Sequence, residues 1–113
     1  MASVELIDDA FEDLKRIRDS GFLPQVLRKL VQLETNPELG RTLAQQLHGY
    51  RRIRVGDMRI IHRASADGEL VVVWLCGRRR DQEAYREAAR RLDAIGPDPH
   101  ARTLRAALDD LTK

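Results

Sequence analysis

The chain has 113 residues, 42% of them hydrophobic, and a formal net charge of +2, which implies one domain, 1–113, with room for a single core. No apolar run approaches the ~18 residues of a membrane span, and Met1-Ala2-Ser3-Val4-Glu5 lacks the basic and apolar regions of a secretory signal. The one cysteine, Cys76, has no internal partner and sits in an apolar run, so a buried thiol in a cytoplasmic protein without a membrane partner is expected.

Val4-Glu5-Leu6-Ile7 reads as a short edge strand, with Asp8 or Asp9 as the N-cap of a helix. Ala10, Phe11, Leu14 and Ile17 fall at helical spacing before Ser20-Gly21. After Pro24, the residues Val26, Leu27, Leu30, Val31 and Leu33 form a second apolar stripe, broken by Asn36-Pro37, so the two helices form an αα-hairpin. Arg52-Ile53-Arg54-Val55 alternates with period two, Gly56-Asp57 is a tight hairpin turn, and Met58 to Arg63 is the return strand. Ala66 to Glu69 turns the chain into Leu70–Cys76, a nearly continuous apolar run of the kind that marks a strand covered on both faces. Asp81 is placed to cap a helix from Gln82 to Ala94, which Gly96-Pro97 stops. Leu104, Ala107, Leu108 and Leu111 predict a short helix in the extension, residues 96–113. The fold class is therefore α+β.

Charge is unevenly spread along this order. Residues 1–40 carry five basic and eight acidic side chains, whereas residues 41–91 carry twelve arginines, no lysine and six acids. Arginine presents a planar five-donor fork that matches phosphate and stacks on bases, so the bias points to a polyanion. A turn at Gly56-Asp57 pairs Val55 with Met58, Arg54 with Arg59, Ile53 with Ile60 and Arg52 with Ile61. Paired residues share a face, so Ile53, Val55, Met58 and Ile60 face the αα-hairpin while Arg52, Arg54 and Arg59 stand on the opposite face. Two arginines directly opposite cost a few tenths to about 1 kcal/mol unless an anion compensates. That anion is a ligand or one of Asp57, Asp67 and Glu69. Arg78-Arg79-Arg80 sits where the apolar strand meets a helix N-terminus, a place that favours phosphate.

The run Tyr50-Arg51-Arg52-Ile53-Arg54-Val55-Gly56-Asp57-Met58-Arg59, followed by Gly77-Arg78-Arg79-Arg80-Asp81-Gln82-Glu83-Ala84-Tyr85, resembles the signature of the RelE/ParE toxin superfamily over residues 4–95. The resemblance implies a β-α-α-β-β-β-α fold, with an antiparallel sheet carrying the αα-hairpin on one face and a C-terminal helix. It also implies a toxin of a type II toxin–antitoxin system that cleaves mRNA in the ribosomal A site without a metal or other cofactor, and a RelB-like antitoxin as partner. The activity residues carried over are Arg52, Arg54, Arg59, Arg79 and Tyr85, with Arg51, Arg78 and Arg80 as further RNA contacts.

The chemistry names a clamp more clearly than a base. Arg59 and Arg79 suit the scissile phosphate, and Tyr85 suits a base or the 2′-OH, or else the apolar face it shares with Ala88, Ala89 and Leu92. Arginine does not readily give up its proton. His62 has a suitable intrinsic pKa but falls on the core face, and His48 precedes the hairpin in a loop. The competing expectations are a toxin that poisons DNA gyrase without nuclease activity, whose relatives tend to lose the Arg…Tyr pair, and a non-catalytic nucleic-acid-binding module acting with its antitoxin.

Overall fold

The alternating Arg52–Val55 segment and the apolar Leu70–Cys76 run become the middle of a six-stranded sheet. A computed structural model describing residues 1–113 gives the chain order β1 (Ser3–Ile7), α1 (Asp8–Arg16), α2 (Leu23–Gln32), β2 (Arg41–Thr42), a 3-10 turn at Gln45–Leu47, β3 (Tyr50–Val55), β4 (Met58–Ala64), β5 (Leu70–Arg78), α3 (Asp81–Ile95), β6 (Ala101–Thr103) and α4 (Leu104–Leu111). The sheet order is β2-β3-β4-β5-β1-β6. Helix α1 packs on β5 and β1, and α2 begins where Phe22 meets the hairpin tip; α3 lies against β4 and β5, on the face that carries Arg52, Arg54 and Arg59. No helix is long and apolar enough to cross a membrane.

The hairpin register is the expected one, with Val55 opposite Met58, Arg54 opposite Arg59, Ile53 opposite Ile60 and Arg52 opposite Ile61. Gly56 turns the chain with φ +58, and a Cβ there would lie 2.6 Å from the ring of Phe22 at the start of α2. The glycine is thus required both by the turn and by the approach of the hairpin tip to the helical layer.

Three differences from the sequence expectation have simple causes. β1 is not an edge strand: it pairs parallel with β5, from Ser3–Leu70 to Leu6–Val73, and antiparallel with β6. Val4, Leu6 and Ile7 are all buried, as expected of a strand paired along both edges and covered on both faces. β2 and β6 are too short for any periodicity to reveal. Finally, the helix caps lie one residue earlier than the acids: Ile7 is the N-cap of α1 and Arg80 that of α3, neither with a capping side chain. Asp8, Asp9 and Asp81 occupy first-turn positions instead, where a carboxylate complements the positive end of the helix.

A bulge shapes β5. Ile61 pairs with Leu75 and His62 with Val73, which leaves Trp74 as the extra residue. Beyond Val73 the β1 edge of β5 is also bare, because β1 has passed into α1. A buried ion pair fills the gap. Asp13 of α1 accepts from the Cys76 amide at 3.0 Å, and Arg91 of α3 donates to the Trp74 carbonyl at 2.9 Å. Arg91 and Asp13 join through both guanidinium Nη atoms at 2.7 and 3.1 Å, with Glu87 taking the Nε at 2.6 Å. Both partners are nearly inaccessible, at 3% and 4%. Burial opposes the charge on Arg91, yet the bond to Asp13 and the fields of Asp13 and Glu87 hold it above the usual arginine range.

Breaking one half of such a pair leaves an uncompensated buried charge. Asp13→Ala or Arg91→Ala should therefore lower unfolding free energy by about 3–5 kcal/mol, read as a urea midpoint shift. Asp13→Leu combined with Arg91→Met should recover part of that loss.

Candidate nucleic-acid interface

The like-charged pair Arg54/Arg59 is resolved by an anion from elsewhere in the chain. Asp81, the first residue of α3, accepts from Arg52 Nη1 at 2.6 Å and from Arg54 Nη2 at 2.7 Å through Oδ2. Its Oδ1 accepts from Arg59 Nε at 2.6 Å. The three acids nearer in sequence do not serve: Asp67 instead accepts from Ser65 Oγ and from the Glu69 amide within its own turn, and neither Asp57 nor Glu69 forms an ion pair. The bond from Arg54 first, with Arg59 and the charge of Arg52 outweighing partial burial, pulls the Asp81 carboxyl down to about 2.

The three guanidiniums are held unequally. The Arg52 side chain is 9% exposed, lies under α3, and leaves its Nε without a partner. Arg59 is 13% exposed and anchored by Nη1 to the carbonyls of Gly56 and Met58, both at 3.0 Å, so the turn itself aims it. Arg54 is 57% exposed and bonds only to Asp81, which raises its pKa. The cluster is thus a fixed floor of two arginines with a movable third at its rim.

Tyr85 stands one turn along α3, and Arg52 Nη1 donates to its hydroxyl oxygen at 3.4 Å. Its ring also lines a groove of about 330 Å³ with Leu43, Leu47 and Ala89. The residue therefore joins an apolar wall to the charged cluster. Arg79 shares a second cleft, about 310 Å³, with Arg59, Arg78, Arg80, Asp57 and Glu83. Arg59 belongs to both sides of this surface and links the hairpin to the strand-to-helix loop. Arg78 also lies over the Phe22 ring at 5.9 Å.

Two expected site residues are set apart from the cluster by the fold: Arg78, which pairs with Met58 and so reaches the helical face, and Arg51. Arg51 pairs with His62 across the hairpin, so it stands on the face opposite Arg52, and its Nη1 donates to the Gly40 carbonyl at 3.2 Å. His62 lies on the core face as its register requires. It is wholly buried, with Nε2 2.7 Å from the Leu39 carbonyl. Burial first, opposed by the Leu39 bond and reinforced by Arg51, lowers its pKa to about 4. His48 is exposed at the end of the 3-10 turn.

Asp81 is the residue the sequence reading assigned to another role, as a helix cap. The available signal was its position, directly after three arginines and at the helix end nearest the hairpin, but only the packing of α3 over β4 brings it to Arg59.

The fold recurs in known proteins. The family model for the ParE toxin of the type II toxin–antitoxin system parDE matches residues 4–83. The toxin–antitoxin complex RelBE2 from Mycobacterium tuberculosis is similar in fold, with TM-score 0.61 and 24% identity over 69% of this chain and 98% of that one. A mutant of the E. coli toxin RelE in the free state gives TM-score 0.64 and 20% identity over 81% of this chain and 99% of the other. The YoeB/ParE toxin from Agrobacterium tumefaciens gives 0.61 and 16% over 71% and 100%. No curated protein is a significant match in sequence.

The buried neutral His62 generates a pH dependence. Its folded pKa, about 4, lies below the ordinary 6.5, so under acid the unfolded chain takes up a proton that the folded chain refuses. Its contribution to stability is complete above 6.5 and is lost as pH falls towards about 4. Urea midpoints measured across that window should decline, and His62→Gln should flatten the decline.

Proposed function

This chain belongs to the ParE toxin family of type II toxin–antitoxin systems, and from that premise we propose that it is an mRNA endonuclease. It acts in the ribosomal A site, cuts through the RNA 2′-OH without a metal, and is held in check by a RelB-like antitoxin. The observation that carries the reading is the convergence of Arg52, Arg54 and Arg59 on two oxygens of one carboxylate, with Tyr85 beside them. A phosphodiester presents two non-bridging oxygens of the same kind.

Cleavage by the neighbouring 2′-OH requires in-line geometry and neutralisation of the charge that grows on phosphorus. Preorganised cations act most strongly on charge that develops in the transition state. Arg59 is held by the turn and faces both the cluster and the Arg79 cleft, so Arg59 and Arg79 clamp the scissile phosphate while Arg52 and Arg54 add to its charge neutralisation. Arg52 donates to the Tyr85 oxygen, which leaves the phenolic proton free to point outwards, towards the leaving 5′-oxygen. In this reading a base stacks on the Tyr85 ring. Arg78 and Arg80 line the loop side of the cleft and extend the basic track. Proton removal from the 2′-OH has no owner in this chain. Asp81, with its pKa near 2, is a weak base, and His62 is sealed in the core. Ribosomal RNA or water takes that role.

The missing base and the ParE family model together favour a second reading, a toxin that poisons DNA gyrase without cutting nucleic acid. In that case the same arginines hold a protein or DNA surface and Tyr85 is dispensable.

Inducible expression followed by 5′-end mapping of cellular mRNA separates the two. The nuclease yields codon-phased cuts within translated regions, and intact mRNA with arrested replication would refute it. Arg59→Ala and Arg79→Ala should each lower cleavage by about 10²–10³-fold, the range for loss of one transition-state donor, and relieve growth arrest while the circular dichroism spectrum is unchanged.

A further inference from the structure

Asp81 raises a question that the nuclease reading leaves open, because the carboxylate stands in the position that reading gives to a phosphate. It takes one donor from each of Arg52, Arg54 and Arg59 at 2.6–2.7 Å. Resting on the proposed function, we infer that Asp81 is a built-in occupant of the phosphate site: the free protein holds its arginines on this carboxylate, and an RNA phosphodiester enters only by displacing it.

Three observations carry the inference. The first is incomplete satisfaction. One carboxylate meets three guanidiniums, so the cluster keeps a local charge of about +2 by simple count, and the nine-tenths buried Arg52 still has an unpartnered Nε. The charge that one carboxylate leaves uncompensated is what successive phosphates of a strand, arriving together, would neutralise.

The second is access. Asp81 is 26% exposed and Arg54 57%, so the carboxylate can turn to solvent about its own side-chain bonds and the rim arginine can follow the incoming phosphate. The floor formed by Arg52 and Arg59 stays in place, since α3 covers the one and backbone carbonyls hold the other.

The third is that α3 does not need this side chain. Its N-cap, Arg80, uses no side-chain capping bond, and Glu83 supplies a second acid to the first turn. Displacing Asp81 therefore requires no change in the helix.

A surrogate anion of this kind has two effects. It gathers the arginines on one acceptor, offsetting the repulsion between Arg54 and Arg59 in the empty state. It also taxes every ligand by the free energy of removing it. Single phosphates and stray anions are turned away, and a strand that gains contacts at Arg79 and Tyr85 at the same time is admitted.

The test is binding of a short single-stranded RNA to the full chain, followed by fluorescence anisotropy over a range of salt. Asp81→Asn should bind at least tenfold more tightly than the natural sequence. The slope of log Kd against log salt should steepen by about 0.7, the increment for one more phosphate neutralised on a single strand. Asp81→Ser, short, polar and uncharged, should give the same gain and guards against a fault peculiar to asparagine. Asp109→Asn makes the same change in net charge on α4, away from the cluster, and should leave binding where it was. Affinity that is unchanged or weaker in both Asp81 variants would overturn the inference and make Asp81 a positioning residue. So would an equal gain in Asp109→Asn, which reduces the effect to net charge. Arg59→Ala keeps the two readings apart. If it weakens RNA binding while the Asp81 variants gain nothing, only the surrogate fails; if it leaves binding unchanged with either residue at position 81, the cluster is not the RNA site.

Discussion

The structure depends on how the inner edge of β5 is closed where β1 leaves it. Parallel pairing ends at Leu6–Val73, and the strand runs on to Arg78 with its bulged Trp74 unpaired. Unpaired backbone groups in a dry interior cost roughly 1–3 kcal/mol each, so an edge of this kind has to be covered. Asp13 and Arg91 do so by bonding the Cys76 amide and the Trp74 carbonyl while pairing with one another. Because Asp13 is on α1 and Arg91 on α3, one ion pair fixes a helix on each side of the sheet. The place of α3 follows from it, and with α3 come Asp81 and Tyr85.

The charged surface is built on that placement. A hairpin carrying arginine on one face is an unfavourable object until something negative meets it. Here the anion comes from the first turn of α3, 22 residues beyond Arg59 and 29 beyond Arg52 in sequence. The same contact positions Arg52 under the helix, leaves Arg54 at the rim, and aims Arg59 with the help of the turn carbonyls. One face of the hairpin thus binds inward to the helical layer through Ile53, Val55, Met58 and Ile60, and the other faces an anion, whether carboxylate or phosphate.

The relatives share this scaffold, and their chains are covered almost entirely, at 98–100%, by 69–81% of this one. The C-terminal part is folded here into the outer strand β6 and into α4. Thr103 caps α4 through the Ala106 amide, Arg102 reaches Asp110 and lies over the Phe11 ring, and Arg105 reaches Glu34 at the end of α2. These contacts tie the extension to the helical face, the side of the sheet away from Arg52, Arg54 and Arg59.

What was legible in the sequence was whatever depends on near neighbours. Period-two alternation and a Gly-Asp turn determined the hairpin register, and register alone put Arg52, Arg54 and Arg59 on one face and His62 in the core. Apolar spacing determined both helices of the hairpin, α3 and α4. Tertiary structure decided what lies far apart along the chain. β1 became an inner strand because β5, 67 residues away, pairs with one of its edges and β6, from the C-terminal part, with the other. Arg51 is set apart from the other arginines by the near-neighbour rule itself, since adjacent strand residues point to opposite faces, although the family resemblance grouped it with them. Asp13 and Arg91 interrupt the apolar stripes of their helices, which as local patterns look like faults and only as a pair become a brace. Asp81 followed the local rule for a helix start and was read as a cap. Its role as counter-anion required the packing of α3 across the sheet, because a charge chooses its partner by distance in space and not by distance along the chain.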